Sequence, residues 1–240
     1  MSDKNGRVLL LDIDGTLCQM DKDLFVKKYV TDMSKSFTDL IPTEQFLPQI
    51  MKSTNFATTH PNPNQTWLEV FLPHFCQAFG LDPDGLVERF LDYYATGFLR
   101  FRSMVTPFSS AKKLIKTARE KGWRLGISSN CQMPKIGIIE RIRWCELNPE
   151  DFEFIPGMES MHYCKPNPWF FQEIANKMAV DPQLCLVTGN DPEEDMAAFS
   201  LGMKTFFVGT ELTQEQKKQV TYQGNLGDLI ALLEKDEILK

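Results

Sequence analysis

The chain has 240 residues, 42% of them apolar, with 18 Phe and 4 Trp; this supports a well-buried core and excludes wholesale disorder. Its 26 Lys and Arg against 32 Asp and Glu give a formal net charge of -6, so nucleic acid and anionic membrane surfaces are not expected partners. The apolar run Val8-Leu9-Leu10-Leu11 is far short of the roughly 20 residues that span a bilayer, and it ends on Asp12, which no signal-peptide core would carry.

In chain order, residues 7–13 predict a short, fully buried strand, an apolar run without alternation closed by Asp14-Gly15. Between about 18 and 104 no strand run appears. Aromatic-rich stretches at 22–39, 43–53, 65–79 and 83–98 have helical spacing instead, separated by Pro42, by the loop His60-Pro61-Asn62-Pro63-Asn64, and by Gly80 with Asp82-Pro83. Ala111, Leu114, Ile115 and Ala118 mark a helix over 107–121, opened by Pro107 and closed at Gly122. A strand at 123–128 is followed by a helix near 134–145, a strand near 152–156 and a helix near 168–178. Strands at 184–188 and 204–208 flank a helix near 192–201 that ends at Gly202. Strands alternating with helices at this spacing imply an α/β fold, a Rossmann-like, doubly wound parallel sheet covered on both faces. The expected organisation is an α/β core of residues 1–17 plus 105–240, interrupted by an all-helical domain of residues 18–104. The six scattered cysteines contain no Cys-x-x-Cys pair, and a chain this apolar needs no covalent staples. They are expected to be reduced, in a cytoplasmic protein.

Four stretches carry chemistry. The first strand ends Leu11-Asp12-Ile13-Asp14-Gly15-Thr16-Leu17; alternation points Asp12 and Asp14 the same way, and Gly15 permits a tight turn. Ligands of an open parallel sheet bind beyond the carboxyl ends of its strands, where two such acids repel unless a cation or a shared proton intervenes. Alone, the same residues suit an ordinary Asp-Gly turn. Ser128-Ser129-Asn130 closes the strand at 123–128, and its hydroxyls and free N–H groups suit an anionic oxygen or, equally, a helix cap. Lys165-Pro166 opens a helix, and a lysine among carboxylates balances their charge and binds phosphate; a solvated lysine is the plainer alternative. Thr188-Gly189-Asn190-Asp191 ends a third strand with oxygen ligands suited to magnesium. Glu193, Glu194 and Asp195 beyond it read as acids decorating a helix N-terminus.

In this order the four stretches resemble the haloacid dehalogenase superfamily of phosphotransferases. The superfamily's DxDGTL motif is matched in full by residues 12–17, its Ser or Thr after a buried strand by Ser129, and its Lys-Pro by Lys165-Pro166. The helical insert resembles the superfamily's C1-type cap, as in phosphoglycolate phosphatases and β-phosphoglucomutases. Many members carry Gly-Asp in the fourth motif, whereas this chain has Gly189-Asn190-Asp191. An ungapped match puts Asn190 on the metal-binding position; charge favours Asp191, with Asn190 as a further oxygen ligand.

The resemblance implies Asp12 as nucleophile, Asp14 as general acid and base, and Ser129, Asn130 and Lys165 as the phosphate cradle. It also implies Mg2+ held by Asp12, Asp14 and the fourth-motif pair. True dehalogenases lack the acid at the position of Asp14, because a halide leaves without a proton. The expected activity is therefore hydrolysis of a small phosphorylated metabolite through an aspartyl-phosphate. The alternatives are a phosphomutase of the β-phosphoglucomutase kind, or a catalytically impaired relative that binds or signals. The loop from His60 to Asn64, or Arg100 and Arg102 near the return to the core, is where the cap reaches a substrate if it does so, although a surface loop and solvated arginines account for them more simply. Cys131 and Cys164 neighbour the second and third motifs, so oxidant sensitivity is an alternative to simple buried packing.

Overall fold

The computed structural model of the chain describes residues 6–236 and 238. Strand β1 (Val8–Leu11) is wholly buried, as its unbroken apolar run requires of a strand covered on both faces. Strand β2 (Cys18–Gln19) leads into helices α1 (Lys22–Met33), α2 (Thr43–Thr59), α3 (Trp67–Gln77) and α4 (Leu86–Ala95). The chain returns through β3 (Thr106–Pro107), which pairs antiparallel with β2. Then follow α5 (Ala111–Glu120), β4 (Arg124–Ile127), α6 (Lys135–Trp144), α7 (Trp169–Lys177) and β5 (Cys185–Gly189). Strands β6 (Lys204–Val208) and β7 (Tyr222–Gly224) and helix α8 (Leu226–Lys235) complete the fold.

The main sheet has five strands in the order β4-β1-β5-β6-β7, and every pair is parallel. Right-handed crossovers running outward in both directions from β1 place helices on both faces. Accordingly α5 packs with α8, while α7 packs with a 3-10 turn over Met196–Leu201. Strand order reverses at β1, and Leu11 lies level with Ile127 on one side and Thr188 on the other. Their carboxyl ends thus open one crevice, the usual ligand position in such a sheet.

Helix α1 starts where the Asp21 carboxylate accepts the Leu24 N–H at 3.0 Å, and α3 starts at a Thr66–Glu69 capping box. The helices between β2 and β3 share an aromatic core. Phe37 lies 5.0 Å from Phe46 and 4.7 Å from Phe90, and Phe75 lies 5.6 Å from Phe46, all between ring centroids. A second group joins this segment to the sheet-bearing part, with Phe98 stacked on Trp144 of α6 at 4.8 Å and Phe25 edge-on to both. The Trp67 and Leu68 N–H groups also donate across the junction, to the carbonyls of Met161 (2.6 Å) and Met158 (2.8 Å).

Some elements depart from expectation. The strand near 152–156 is only a stub, with Phe154 bridged to Gly126 and Pro156 unable to donate further. The helix near 192–201 shrinks to its last six residues, because the Asp191 and Asp195 carboxylates hold the backbone before it in turns. The stretches at 22–39 and 83–98 each break into an α-helix followed by 3-10 turns. Helix α2 runs past 53 to Thr59, where the Thr59 hydroxyl bonds back to the Asn55 carbonyl at 2.8 Å. Strand β7, helix α8 and the β2–β3 ribbon had no counterpart in the sequence pattern.

Candidate active site

Beyond β1 the chain winds tightly round the Ile13 carbonyl, which accepts the N–H groups of Thr16 (3.2 Å), Leu17 (2.8 Å) and Cys18 (3.3 Å). Gly15 turns the corner at φ +77°, a left-handed conformation that other residues seldom adopt. Any side chain there would also run into Asn190. The Thr16 hydroxyl donates to Asn190 Oδ1 at 3.2 Å, so the loops after β1 and β5 are tied together.

Asp12, Asp14, Ser129, Asn130, Lys165, Asn190 and Asp191 all line one cavity of about 190 Å³ at this strand edge. Phe25, Val26 and Tyr29 of α1 close it from the helical side. The Lys165 ammonium is buried and donates to Asp12 Oδ1 at 2.9 Å and to Asp195 Oδ1 at 2.6 Å. Burial alone would lower the lysine, but the two carboxylates outweigh it and hold the group above its ordinary value, so it stays charged. Burial, opposed by Lys165, pushes the Asp195 carboxyl up to about 6. Asn130 pins the lysine's backbone, accepting the Lys165 N–H at 3.2 Å and donating to its carbonyl at 3.4 Å.

Three placements differ from the sequence expectations. Asp195 is no surface decoration: it is 1% exposed and belongs to the Lys165 cluster, and its other oxygen accepts the Asp191 N–H at 2.9 Å. The Asp191 carboxylate accepts the Glu193 and Glu194 N–H groups at 2.9 and 2.8 Å, while the Asn190 amide faces the Gly15-Thr16 turn. The third is Arg141 of α6, which sequence reasoning missed. It is 5% exposed and ion-paired with Asp14, with a further contact to Met133 Sδ at 3.7 Å. Burial lowers its guanidinium, opposed by the nearby Asp12 charge. Its signal was an arginine three residues after Ile138 and directly before Ile142, on a stripe that is otherwise apolar.

Other expected contacts fall elsewhere. His60 stacks on Phe56 at 4.5 Å, Arg100 pairs with Asp32 at 3.1 Å, and Arg102 donates to the Val105 carbonyl at 2.9 Å; none of them lines this cavity. All six cysteines are free and buried. Cys131 Sγ lies 3.4 Å from Cys164 Sγ, and burial, with the neighbouring Cys164, raises the Cys131 thiol well above its ordinary value.

The donor set suits a hard divalent ion. Among the described residues no three His, Cys, Asp or Glu side chains gather as a ready-made cage. What the cavity offers is carboxylate, amide and main-chain oxygen, the mixture magnesium takes when it keeps several waters. Among the described residues no helix is long and apolar enough to cross a membrane.

Residues 7–201 match the family of haloacid dehalogenase-like hydrolases. Over 124 residues the chain is 27% identical to a glyceraldehyde 3-phosphate phosphatase of Methanothermobacter thermautotrophicus. That match takes in 51% of this chain and 53% of the relative, so the chain spans about half the length of the curated relative it matches. In fold it is similar to a HAD phosphatase from Thermococcus onnurineus, with a TM-score of 0.59, 16% identity and coverage of 95% and 97% of the two chains. A β-phosphoglucomutase from Clostridium difficile superposes with a TM-score of 0.58 at 16% identity, over 98% of this chain and 100% of the other.

Proposed function

The chain belongs to the haloacid dehalogenase-like hydrolases, and from that premise we propose that it is a magnesium-dependent phosphatase acting on a small phosphate monoester. The observation that supports this most is the pairing of charges in one cavity. Two carboxylates, two residues apart, each face a buried cation: Lys165, which Asp12 shares with Asp195, and Arg141 beside Asp14.

Asp12 attacks phosphorus, its carboxylate oxygen forming the aspartyl-phosphate as the ester oxygen departs. Asp14 gives that oxygen a proton, then takes one from the water that cleaves the acyl phosphate. Lys165 and the Ser129 hydroxyl hold the phosphoryl oxygens. The Asn130 side chain is spent on the Lys165 backbone, which leaves its main-chain N–H for the phosphate. A magnesium ion held by Asp12, the Asp14 main-chain oxygen and Asn190 would offset the repulsion between carboxylate and phosphate. The capping bonds of Asp191 favour Asn190 over Asp191 for that position.

Phosphate release from a panel of phosphate monoesters, with Mg2+ and with EDTA, tests the proposal. We expect turnover that EDTA abolishes and that Asp12→Asn lowers by at least roughly a thousandfold, as for loss of a nucleophile. No release from any ester, p-nitrophenyl phosphate included, would overturn it, as would isomerised sugar phosphate in place of free phosphate.

A further inference from the structure

Above the catalytic cavity the helical segment encloses a second and larger space, about 490 Å³, within the range of roughly 300–1,000 Å³ that houses small-molecule ligands. Its walls come from all four helices: Val30 and Met33 of α1, Ile50 of α2, Leu68 and Phe71 of α3, and Phe90 of α4. The charged residues that border it, Lys22, Asp23, Lys27 and Glu159, are all exposed and sit at its rim. The two spaces are neighbours with a shared wall, for Lys22, Val26, Tyr29 and Gln132 line both.

We propose that the substrate is a phosphate monoester whose organic group is apolar, an alkyl chain or a hydrocarbon ring. Its phosphate lies between Asp12 and Lys165, and its apolar group lies among these helices. The proposal rests on the phosphatase assignment and names the substrate class of the same site. A sugar or nucleoside placed there would turn most of its hydroxyls to Val30, Ile50, Leu68 and Phe71, with Thr54, Tyr29, Tyr94 and Gln132 too few to pair them all, and burial without hydrogen bonds is costly. An apolar group meets no such penalty and gains with each methylene buried. The shared wall supplies the direction: a group esterified at the phosphate passes Val26 and Tyr29, with Lys22 and Gln132 beside them, as it enters the larger space.

The test uses the full-length protein with Mg2+ and n-butyl, n-hexyl and n-octyl phosphate below their aggregation limits, beside glycerol phosphate, glucose 6-phosphate and p-nitrophenyl phosphate. We expect kcat/KM to rise on the order of threefold per methylene along the alkyl series, with the polyol esters slowest. Ile50 is half-buried, so its size can be changed without opening the core. Ile50→Trp should move the preferred chain length down, and Ile50→Ala should move it up. A flat alkyl series, polyol esters at the top, or one unchanged optimum in both variants would overturn the proposal while p-nitrophenyl phosphate is still hydrolysed. If no ester is hydrolysed, the phosphatase assignment fails, and titration calorimetry of the Asp12→Asn protein decides the cavity separately. Tighter binding of n-octyl phosphate than of glycerol phosphate, with a negative heat-capacity change, supports the apolar site; equal binding overturns it. A dimer that Ile50→Asp converts to monomer would also overturn it, by giving the cavity to a second copy of the chain.

Discussion

Arg141 is the residue that most alters what the site can do. An arginine buried beside Asp14 stabilises the carboxylate over the acid, so it favours the step in which Asp14 gives its proton to the departing ester oxygen. Replacing it with Met removes the charge and keeps much of the volume. We expect Arg141→Met to lower kcat on the order of tenfold, about 1.4 kcal/mol of barrier, with KM little changed. Phosphoenzyme in acid-quenched samples should fall, because its formation is the step slowed, and Arg141→Lys should restore part of the rate; an unchanged level would limit Arg141 to a structural part. A second expectation concerns Asn190, proposed above as a magnesium ligand. Asn190→Asp adds a negative ligand, so Mg2+ titrated calorimetrically should bind roughly tenfold more tightly. The same change should lower the melting temperature in EDTA, because a further acid then joins the carboxylates already lining the cavity without a cation of its own. The Asp12–Asp14 turn was legible from the sequence because its chemistry is local. Arg141 was not, since its partner lies 127 residues away and an arginine on a helix gives no local sign of burial. Asp195 misled for the opposite reason: an acid just before a helix already has a sufficient local explanation in the helix dipole.

At the scale of elements, β1, β4, β5 and β6 were readable because strands buried on both faces are unbroken apolar runs. Strand β7, Tyr222–Gly224, has no such run; it borders only β6 and leaves Gln223 exposed, so nothing in its composition distinguishes it from a loop. The helices between β2 and β3 were readable as helices, but their breaks were not. Ser34, for example, ends α1 by donating to the Thr31 carbonyl at 2.7 Å, a choice that depends on local competition for hydrogen bonds. What holds these helices together is aromatic. Phe75 is fully buried, with Phe46, Phe71, Phe79 and Phe90 all within 5.9 Å of its ring. Phe75→Ala should cost about 3–5 kcal/mol, seen as a lower urea midpoint, whereas Trp169→Ala, at a site 57% exposed, should change stability by less than about 0.5 kcal/mol. Equal midpoints for the two variants would mean that the helical segment unfolds outside the measured transition.

Across the whole molecule, the helices sit over the carboxyl edge of the sheet and are fastened there at two kinds of contact. One is the Phe98–Trp144 stack; the other is the pair of main-chain bonds from Trp67 and Leu68. The second kind lies beside Met158, part of the larger cavity's lining, rather than in the buried sheet. In hydrogen-exchange measurements the Trp67 and Leu68 amides should therefore exchange well before those of Leu10 and Val187 in the central strands. Saturating inorganic phosphate with Mg2+ should slow the first pair and leave the second unchanged. Exchange of all four at one rate would mean that helices and sheet open only together. The β2–β3 ribbon sets how the two parts are spliced. Cys18 lies opposite Pro107 and Gln19 opposite Thr106, so the chain leaves for the helices and comes back at adjoining points. Recombination at those two points would exchange the entire helical cassette between relatives while every strand of the sheet kept its neighbour, and ligand preference could then diversify without the catalytic edge being rebuilt.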